Sequence, residues 1–184
     1  MGQLILILGG ARSGKSAYAE RLAHERGGVV LFVATATAGD DEMAQRIAAH
    51  RADRPAAWPT LEAPTGVAAA VAAADFSADT ILFDCVTLLV SNLLLEHEAA
   101  GEEAIGQEIE AEIAALLAQI DAAGVTWIVV SNEVGMGLVP PYPLGRAYRD
   151  LLGRVNARLA ARADRAYLLV AGLPLDLKRL MAEQ

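Results

Sequence analysis

The run Gly9-Gly10-Ala11-Arg12-Ser13-Gly14-Lys15-Ser16 has the spacing G-x-x-x-x-G-K-[ST] without a gap. Residue types in that pattern suit one task, the holding of a polyphosphate. Glycines let the backbone turn its N–H groups inward. A helix that follows adds about half a positive charge at its N-terminus. Lys15 is placed to reach the outer phosphates, and the Ser16 hydroxyl to ligate the Mg²⁺ that accompanies a nucleoside triphosphate. The context agrees: the apolar run Leu4 to Leu8 directly precedes the loop, and a helix-forming stretch from Ala17 to Arg26 directly follows. Without a ligand, the same residues would be a tight glycine turn closing a strand–helix unit.

Three other places have residues with chemical potential. Ile81-Leu82-Phe83-Asp84 reads as a buried strand ending in a carboxylate, which beside a phosphate loop positions Mg²⁺ directly or through water. Among the three histidines, His24 lies near the end of the first helix and His97 in a glutamate-rich run. His50 differs. In the stretch from Asp40 to Pro55, helical spacing puts Met43, Ile47 and His50 on one face, with Arg46 a turn before the histidine and Arg51 and Arg54 after it. A satisfied, half-buried histidine is the ordinary reading of such a residue. The chemical one is attack on phosphorus by a neutral imidazole, giving a phosphoramidate, with arginines neutralising the transferred group. The third place is Asn132-Glu133-Val134-Gly135-Met136-Gly137. It follows a strand and suits a ligand contact and a flexible connection equally.

The elements that must position these residues alternate. Strands are expected at Leu4–Leu8, Val29–Thr35, Thr80–Cys85, Thr126–Ser131 and Ala166–Val170, with a weaker one near Trp58–Ala63. Helices are expected at Lys15–Arg26, Asp40–Ala52, Gly66–Ala74, Thr87–Glu98, Glu102–Ala123 and Leu144–Ala163. Gly27-Gly28 ends the first helix and Pro55 the second. Such an order predicts an α/β protein with a mostly parallel, doubly wound sheet and ligands beyond the carboxyl ends of its strands. The 184 residues read as a single phosphate-loop nucleotide-binding domain over 1–184. Hydrophobic residues make up 54% and aromatics only 5%, so the core is aliphatic, as parallel sheets between helices require.

The formal net charge of -8 argues against nonspecific nucleic-acid binding. Glutamates crowd the stretch from Glu96 to Glu112, which reads as a solvated helix face. Arginines recur from Arg146 to Arg165, as another such face or as a contact for an anion or a neighbouring subunit. No apolar run is long enough to span a membrane. The first apolar run enters the glycine loop without a cleavage site and reads as a strand, not a signal peptide. A single cysteine, Cys85, allows no disulfide within the chain and reads as a packed thiol. A cytoplasmic location is the expectation.

Taken in order, the glycine loop, the Asp40–Pro55 helix with its Met, Arg, His and Arg-Pro positions, and Ser131-Asn132-Glu133-Val134-Gly135-Met136-Gly137 resemble one family. It is the bifunctional adenosylcobinamide kinase/adenosylcobinamide-phosphate guanylyltransferases of cobalamin biosynthesis. The resemblance runs from Leu4 to about Gly172, and Arg154-Val155-Asn156 adds to it. It implies a RecA-like P-loop NTPase fold, a homotrimer, and two activities. The first phosphorylates adenosylcobinamide with ATP or GTP. The second moves GMP from GTP, through a covalent histidine adduct, to adenosylcobinamide phosphate.

By the same resemblance His50 is the nucleophile. Nucleotide contacts fall on Gly9 to Ser16, on Ala34, Thr35 and Ala36, on Arg51, Ala52, Asp53 and Arg54, and on Glu62 and Asp84, with Ser16 and Asp84 facing the metal. Two departures are visible. Some relatives carry Glu in place of Asp84, and some have a second histidine where this chain has Ala49. The alternatives are a phosphate-loop small-molecule kinase without a covalent intermediate, a GTP-binding module, and a RecA-like DNA motor. The guanine-reading Asn-Lys-x-Asp motif of GTP switches is absent from the chain.

Overall fold

A computed structural model describes residues 1–38, 41, 44–45, 47–48, 51 and 54–182. In chain order its elements are β1 (Gln3–Gly9), α1 (Lys15–Arg26), β2 (Val30–Ala34), β3 (Thr60–Glu62), α2 (Val67–Ala73), β4 (Thr80–Asp84) and α3 (Val86–Glu96). There follow α4 (Glu102–Ala123), β5 (Thr126–Asn132), α5 (Pro143–Arg162), β6 (Arg165–Val170), β7 (Leu173–Asp176) and α6 (Leu177–Ala182). A 3₁₀ turn, Glu98–Ala100, links α3 to α4. In the expected helix over 40–52, Asp41, Ala44, Gln45, Ile47, Ala48 and Arg51 are helical. His50, Ala52 and Asp53 lie outside the described residues, as do Asp40, Met43, Arg46 and Ala49.

Among the described residues the strands form one sheet of seven, ordered β3-β2-β4-β5-β1-β6-β7. Every pairing is parallel except β6 with β7. The parallel strands need crossovers, and the helices supply them. β1 lies inside the sheet between β5 and β6 and is apolar on both faces. Leu4, Leu6 and Leu8 enter the core beneath α2, α3, α4 and α5, while Ile5 and Ile7 pack on the other side with Ala19 and Ala23 of α1. That alternation is the period of a strand. α4 presents Ile105, Ile109, Ile113, Leu116 and Ile120 to the sheet, all buried and spaced at helical intervals. Fully burying each contributes about 1.5–3 kcal/mol.

The charged stretches resolve into structure. Glu102, Glu103, Glu108 and Glu110 of α4 are exposed, as a solvated face should be. Glu112 instead accepts the Val67 N–H at 2.8 Å and so caps α2. Of the late arginines, Arg158 pairs with Glu110, and Arg162 reaches Asp121 at 2.7 Å, Asp164 at 3.2 Å and the Gly2 carbonyl at 3.0 Å. These side chains bind α5 to α4 and to the start of β1 within the chain. No described helix is long and apolar enough to cross a membrane.

The terminal pair β7 and α6 was not expected from the sequence. β7 is an edge strand of four residues containing Pro174. An edge tolerates proline because one side of the backbone needs no ladder bond. α3 also stops at Glu96, two residues before the expected end.

Candidate functional site

The phosphate loop joins the end of β1 to α1, and its shape depends on its glycines. Gly14 caps α1 with φ 90° and ψ 9°, a left-handed conformation that glycine adopts without strain. A Cβ at Gly9 would lie 2.4 Å from Ser13 Oγ and 2.9 Å from the Leu169 carbonyl. The Gly10 carbonyl accepts the Ser13 N–H and Lys15 Nζ, each at 3.3 Å. The loop is braced from outside as well. The Gly172 N–H donates to the Ser13 carbonyl at 2.9 Å, and the Glu133 N–H donates to the Gly9 carbonyl at 3.1 Å. Ser13 Oγ is buried without a hydrogen-bond partner among the described residues.

Beyond the carboxyl ends of the strands lies a cavity of about 590 Å³. Arg12, Gly14, Lys15 and Ser16 line it from the loop, Ala34 and Ala36 from the end of β2, and Asp84 from the end of β4. Phe32, Ile47, Arg54, Thr87 and Asn132 also line it. The site therefore brings together residues from the loop, two strand ends and the 41–51 segment. Its volume is in the range of small-ligand and cofactor pockets.

Arg54 lies over the Phe32 ring, 3.7 Å from its centroid. Such a contact is worth about 0.5–2 kcal/mol and fixes the guanidinium. Burial holds Arg54 below the ordinary arginine value, with Glu20 opposing the shift. Arg51 and Glu62 pair with each other, and both are exposed. They tie the 41–51 segment to β3 and do not line the cavity. His50, between Ile47 and Arg51 in sequence, is outside the described residues, as are Ala52 and Asp53.

Thr35, grouped above with the nucleotide contacts, is not brought into the cavity. It is 0% exposed. Its Oγ1 donates to the Cys85 carbonyl at 2.8 Å and accepts the Cys85 N–H at 2.9 Å. Its own carbonyl accepts Asn92 Nδ2 at 2.9 Å, and its N–H donates to the Asp84 carbonyl at 3.4 Å. Thr35 thus locks the end of β2 to the end of β4 and sets where Asp84 stands. The Asp84–Cys85 peptide is cis. Burial, with Asp84 adding to it, pushes the Cys85 thiol up to about 12. That suits the packed thiol expected from the sequence.

Ser16 and Asp84 offer one hydroxyl and one carboxylate at the cavity wall. Among the described residues no cluster of three or more His, Cys, Asp or Glu is present. This sparse oxygen set suits Mg²⁺, which keeps waters and takes further ligands from a substrate's phosphates, better than a metal needing a protein cage. The sequence reading passed over Phe32 and Thr87. A strand interior and the second residue of a helix carry no local sign of a ligand, and only the sheet register brings them to the cavity.

Fold and loop together define a P-loop, nucleotide-using protein. Its backbone resembles an ATPase from the type III secretion system of pathogenic bacteria, with a TM-score of 0.59 at 16% identity. That match covers 99% of this chain and 58% of the other, and is a likeness of fold alone. Residues 5–177 match the family described as cobinamide kinase / cobinamide phosphate guanyltransferase. The chain is 47% identical over 173 residues to the bifunctional adenosylcobalamin biosynthesis protein CobP of Pseudomonas aeruginosa, covering 94% of this chain and 96% of that one. It is 40% identical to CobU of Escherichia coli and 41% identical to CobU of Salmonella typhimurium, each over 95% of this chain and 99% of the relative. The chain belongs to the cobinamide kinase / cobinamide phosphate guanyltransferase family.

Proposed function

We propose that the cavity serves both half-reactions of a bifunctional adenosylcobinamide kinase and adenosylcobinamide-phosphate guanylyltransferase, within a single nucleotide-binding domain over 1–184. In the first, the corrinoid's aminopropanol hydroxyl takes the γ-phosphoryl group of ATP or GTP. In the second, a lone pair of the His50 imidazole forms a bond to the α-phosphorus of GTP. The α–β bridging P–O bond breaks, and pyrophosphate leaves with its electrons. A phosphate oxygen of adenosylcobinamide phosphate then attacks the same phosphorus. The N–P bond breaks, histidine is restored and adenosyl-GDP-cobinamide departs.

The chain's own groups have assignable parts. The loop backbone from Gly9 to Ser16 binds the phosphates, and Lys15 and Arg54 offset charge that builds on the transferred group. Ser16 and Asp84 would hold Mg²⁺, which would supply further neutralisation of the phosphates. Arg51, through Glu62, steadies the segment that carries His50. The carrying observation is the composition of one cavity wall: Lys15, Ser16, Asp84 and Arg54 meet there with Ile47, three residues before His50 in sequence. A homotrimer is what the family resemblance implies, and exposed apolar side chains offer surface for such an assembly to bury. Met136, Leu138, Val139 and Tyr142 follow β5, and Leu173 and Leu175 lie on β7. A cytoplasmic location accords with a reduced, unpaired Cys85.

Intact-mass measurement after incubation with GTP and Mg²⁺ tests the mechanism. The wild-type chain should gain the mass of one GMP, and His50→Ala should gain none while keeping kinase activity. An adduct of wild-type amount on His50→Ala would end the assignment of the nucleophile.

A further inference from the structure

The end of β5 carries a polar side chain that the fold itself leaves unexplained. Asn132 lines the cavity with Lys15, Asp84 and Thr87. Its Oδ1 is buried and accepts no hydrogen bond among the described residues. The backbone around it is fixed on every side. The Asn132 N–H donates to Thr87 Oγ1 at 2.7 Å, and its carbonyl accepts Asn156 Nδ2 at 2.9 Å. Asn156 is 5% exposed and in turn accepts the Ser131 hydroxyl at 2.7 Å. Register gives the location: Asn132 pairs with Gly9 at the foot of the phosphate loop, and Val130, two residues earlier, pairs with Asp84. β5 lies between β1 and β4, so Asn132 stands between the loop and the carboxylate.

A buried amide oxygen without a donor is an unmet demand, and a turn of the Asn132 side chain toward the cavity it lines would let a ligand satisfy it. The chemistry of the donor can be narrowed. The triphosphate oxygens held by the loop at neutral pH accept hydrogen bonds and do not donate them. An alcohol substrate donates one. We propose that Asn132 Oδ1 receives the O–H of the acceptor alcohol in the kinase half-reaction and aims its oxygen at the γ-phosphorus. The inference rests on the bifunctional reading above and assigns a substrate-binding residue to one half of it.

In that step the alcohol oxygen bonds to the γ-phosphorus, and the bond from phosphorus to the β–γ bridging oxygen breaks. The nucleoside diphosphate leaves with the electron pair, and the hydroxyl proton is released to water. A neutral amide is too weak a base to remove the proton, so Asn132 orients the nucleophile. The imidazole nitrogen that attacks GTP carries no hydrogen and needs no such acceptor. Asn132 therefore separates two reactions that share a phosphate loop.

The test compares Asn132→Ala and Asn132→Asp with wild type in two assays: steady-state cobinamide phosphorylation, and intact-mass detection of the GMP adduct with GTP alone. Misaimed nucleophiles typically cost about 10²-fold, so kinase kcat should fall about that far in Asn132→Ala, with KM for the nucleotide within about threefold and the adduct yield within about twofold. Asn132→Asp keeps an acceptor oxygen at the same reach and should hold kinase kcat at least about fivefold above that of Asn132→Ala. It also serves as the comparison if the alanine variant melts early. Equal losses in phosphorylation and adduct formation would overturn the proposal, since they would mean that Asn132 serves the nucleotide or a water common to both steps. Unchanged phosphorylation would overturn it as well. Failure of the wild type to form an adduct would instead sink the bifunctional reading, whatever Asn132 does.

Discussion

Replacing Thr35 by valine removes one hydroxyl and leaves shape and volume nearly unchanged. Two hydrogen bonds to Cys85 are lost, but their loss is unequal. The Cys85 carbonyl keeps a second donor, the Leu89 N–H at 3.2 Å. The Cys85 N–H is left with no partner in a buried strand end, because Thr35 Oγ1 is its acceptor. An orphaned buried donor costs about 1–3 kcal/mol, and the bond to the already satisfied carbonyl about 0.5–1.5 more, so the sum is roughly 1.5–4.5 kcal/mol. For a chain of this size each kcal/mol moves the midpoint by about 2–4 °C, which puts the melting temperature roughly 3–18 °C lower. Thr35→Ser is the control. It keeps the hydroxyl and gives up one methyl, a loss of about 1 kcal/mol. Urea unfolding of the three proteins, with GTP binding measured well below the midpoint, decides the matter. If Thr35→Val is as stable as Thr35→Ser, the locking role is refuted. If it is fully stable yet cannot bind GTP, Thr35 touches the nucleotide after all.

Gly14→Ala forces a side chain into a left-handed residue with φ 90° and should cost about 1–2 kcal/mol in urea unfolding. The same variant should weaken GTP binding by about tenfold or more in titration calorimetry, because the strained residue opens the helix that faces the phosphates. The Leu4 N–H, at 2.7 Å, and the Arg162 guanidinium hold the Asp164 carboxyl below its ordinary value. Its contribution is therefore present above the unfolded-state pKa of about 3.9 and is lost as the pH falls through the lower folded value. Asp164→Asn should flatten the acid side of the stability curve below about pH 4, and an unchanged slope there would contradict the linkage.

The central strands were legible because burial on both faces leaves a continuous apolar run, as in Leu4 to Leu8 and Trp127 to Val130. The edges were fainter. The weaker strand expected near Trp58–Ala63 is β3, only the three residues Thr60–Glu62, while β7 was missed because it is short, contains a proline and draws its strand character from β6 rather than from its own pattern. The phosphate loop was readable because its chemistry is contiguous. Thr35 was not, since its partner Cys85 lies 50 residues away and only the β2–β4 register brings them together. Asn132 was visible as an ambiguous loop residue. What distinguishes it is an unmatched oxygen beside a cavity, and no local sequence pattern encodes that. Arg51 and Glu62 were read as nucleotide contacts; in the structure they pair with each other and do not line the cavity, which no sequence pattern indicates.

The sheet order places β1 between β5 and β6, both of which come more than a hundred residues later in the chain. The turn at Gly172 then closes against Ser13. The oldest-synthesised part of the nucleotide pocket is therefore the last to be walled in. A ribosome-bound fragment lacking β5 and β6 has the complete glycine signature but lacks the braces that Glu133 and Gly172 supply to it. Ligand capture during translation must wait for the distal half of the polypeptide, a delay inherent in wiring a local motif to remote neighbours.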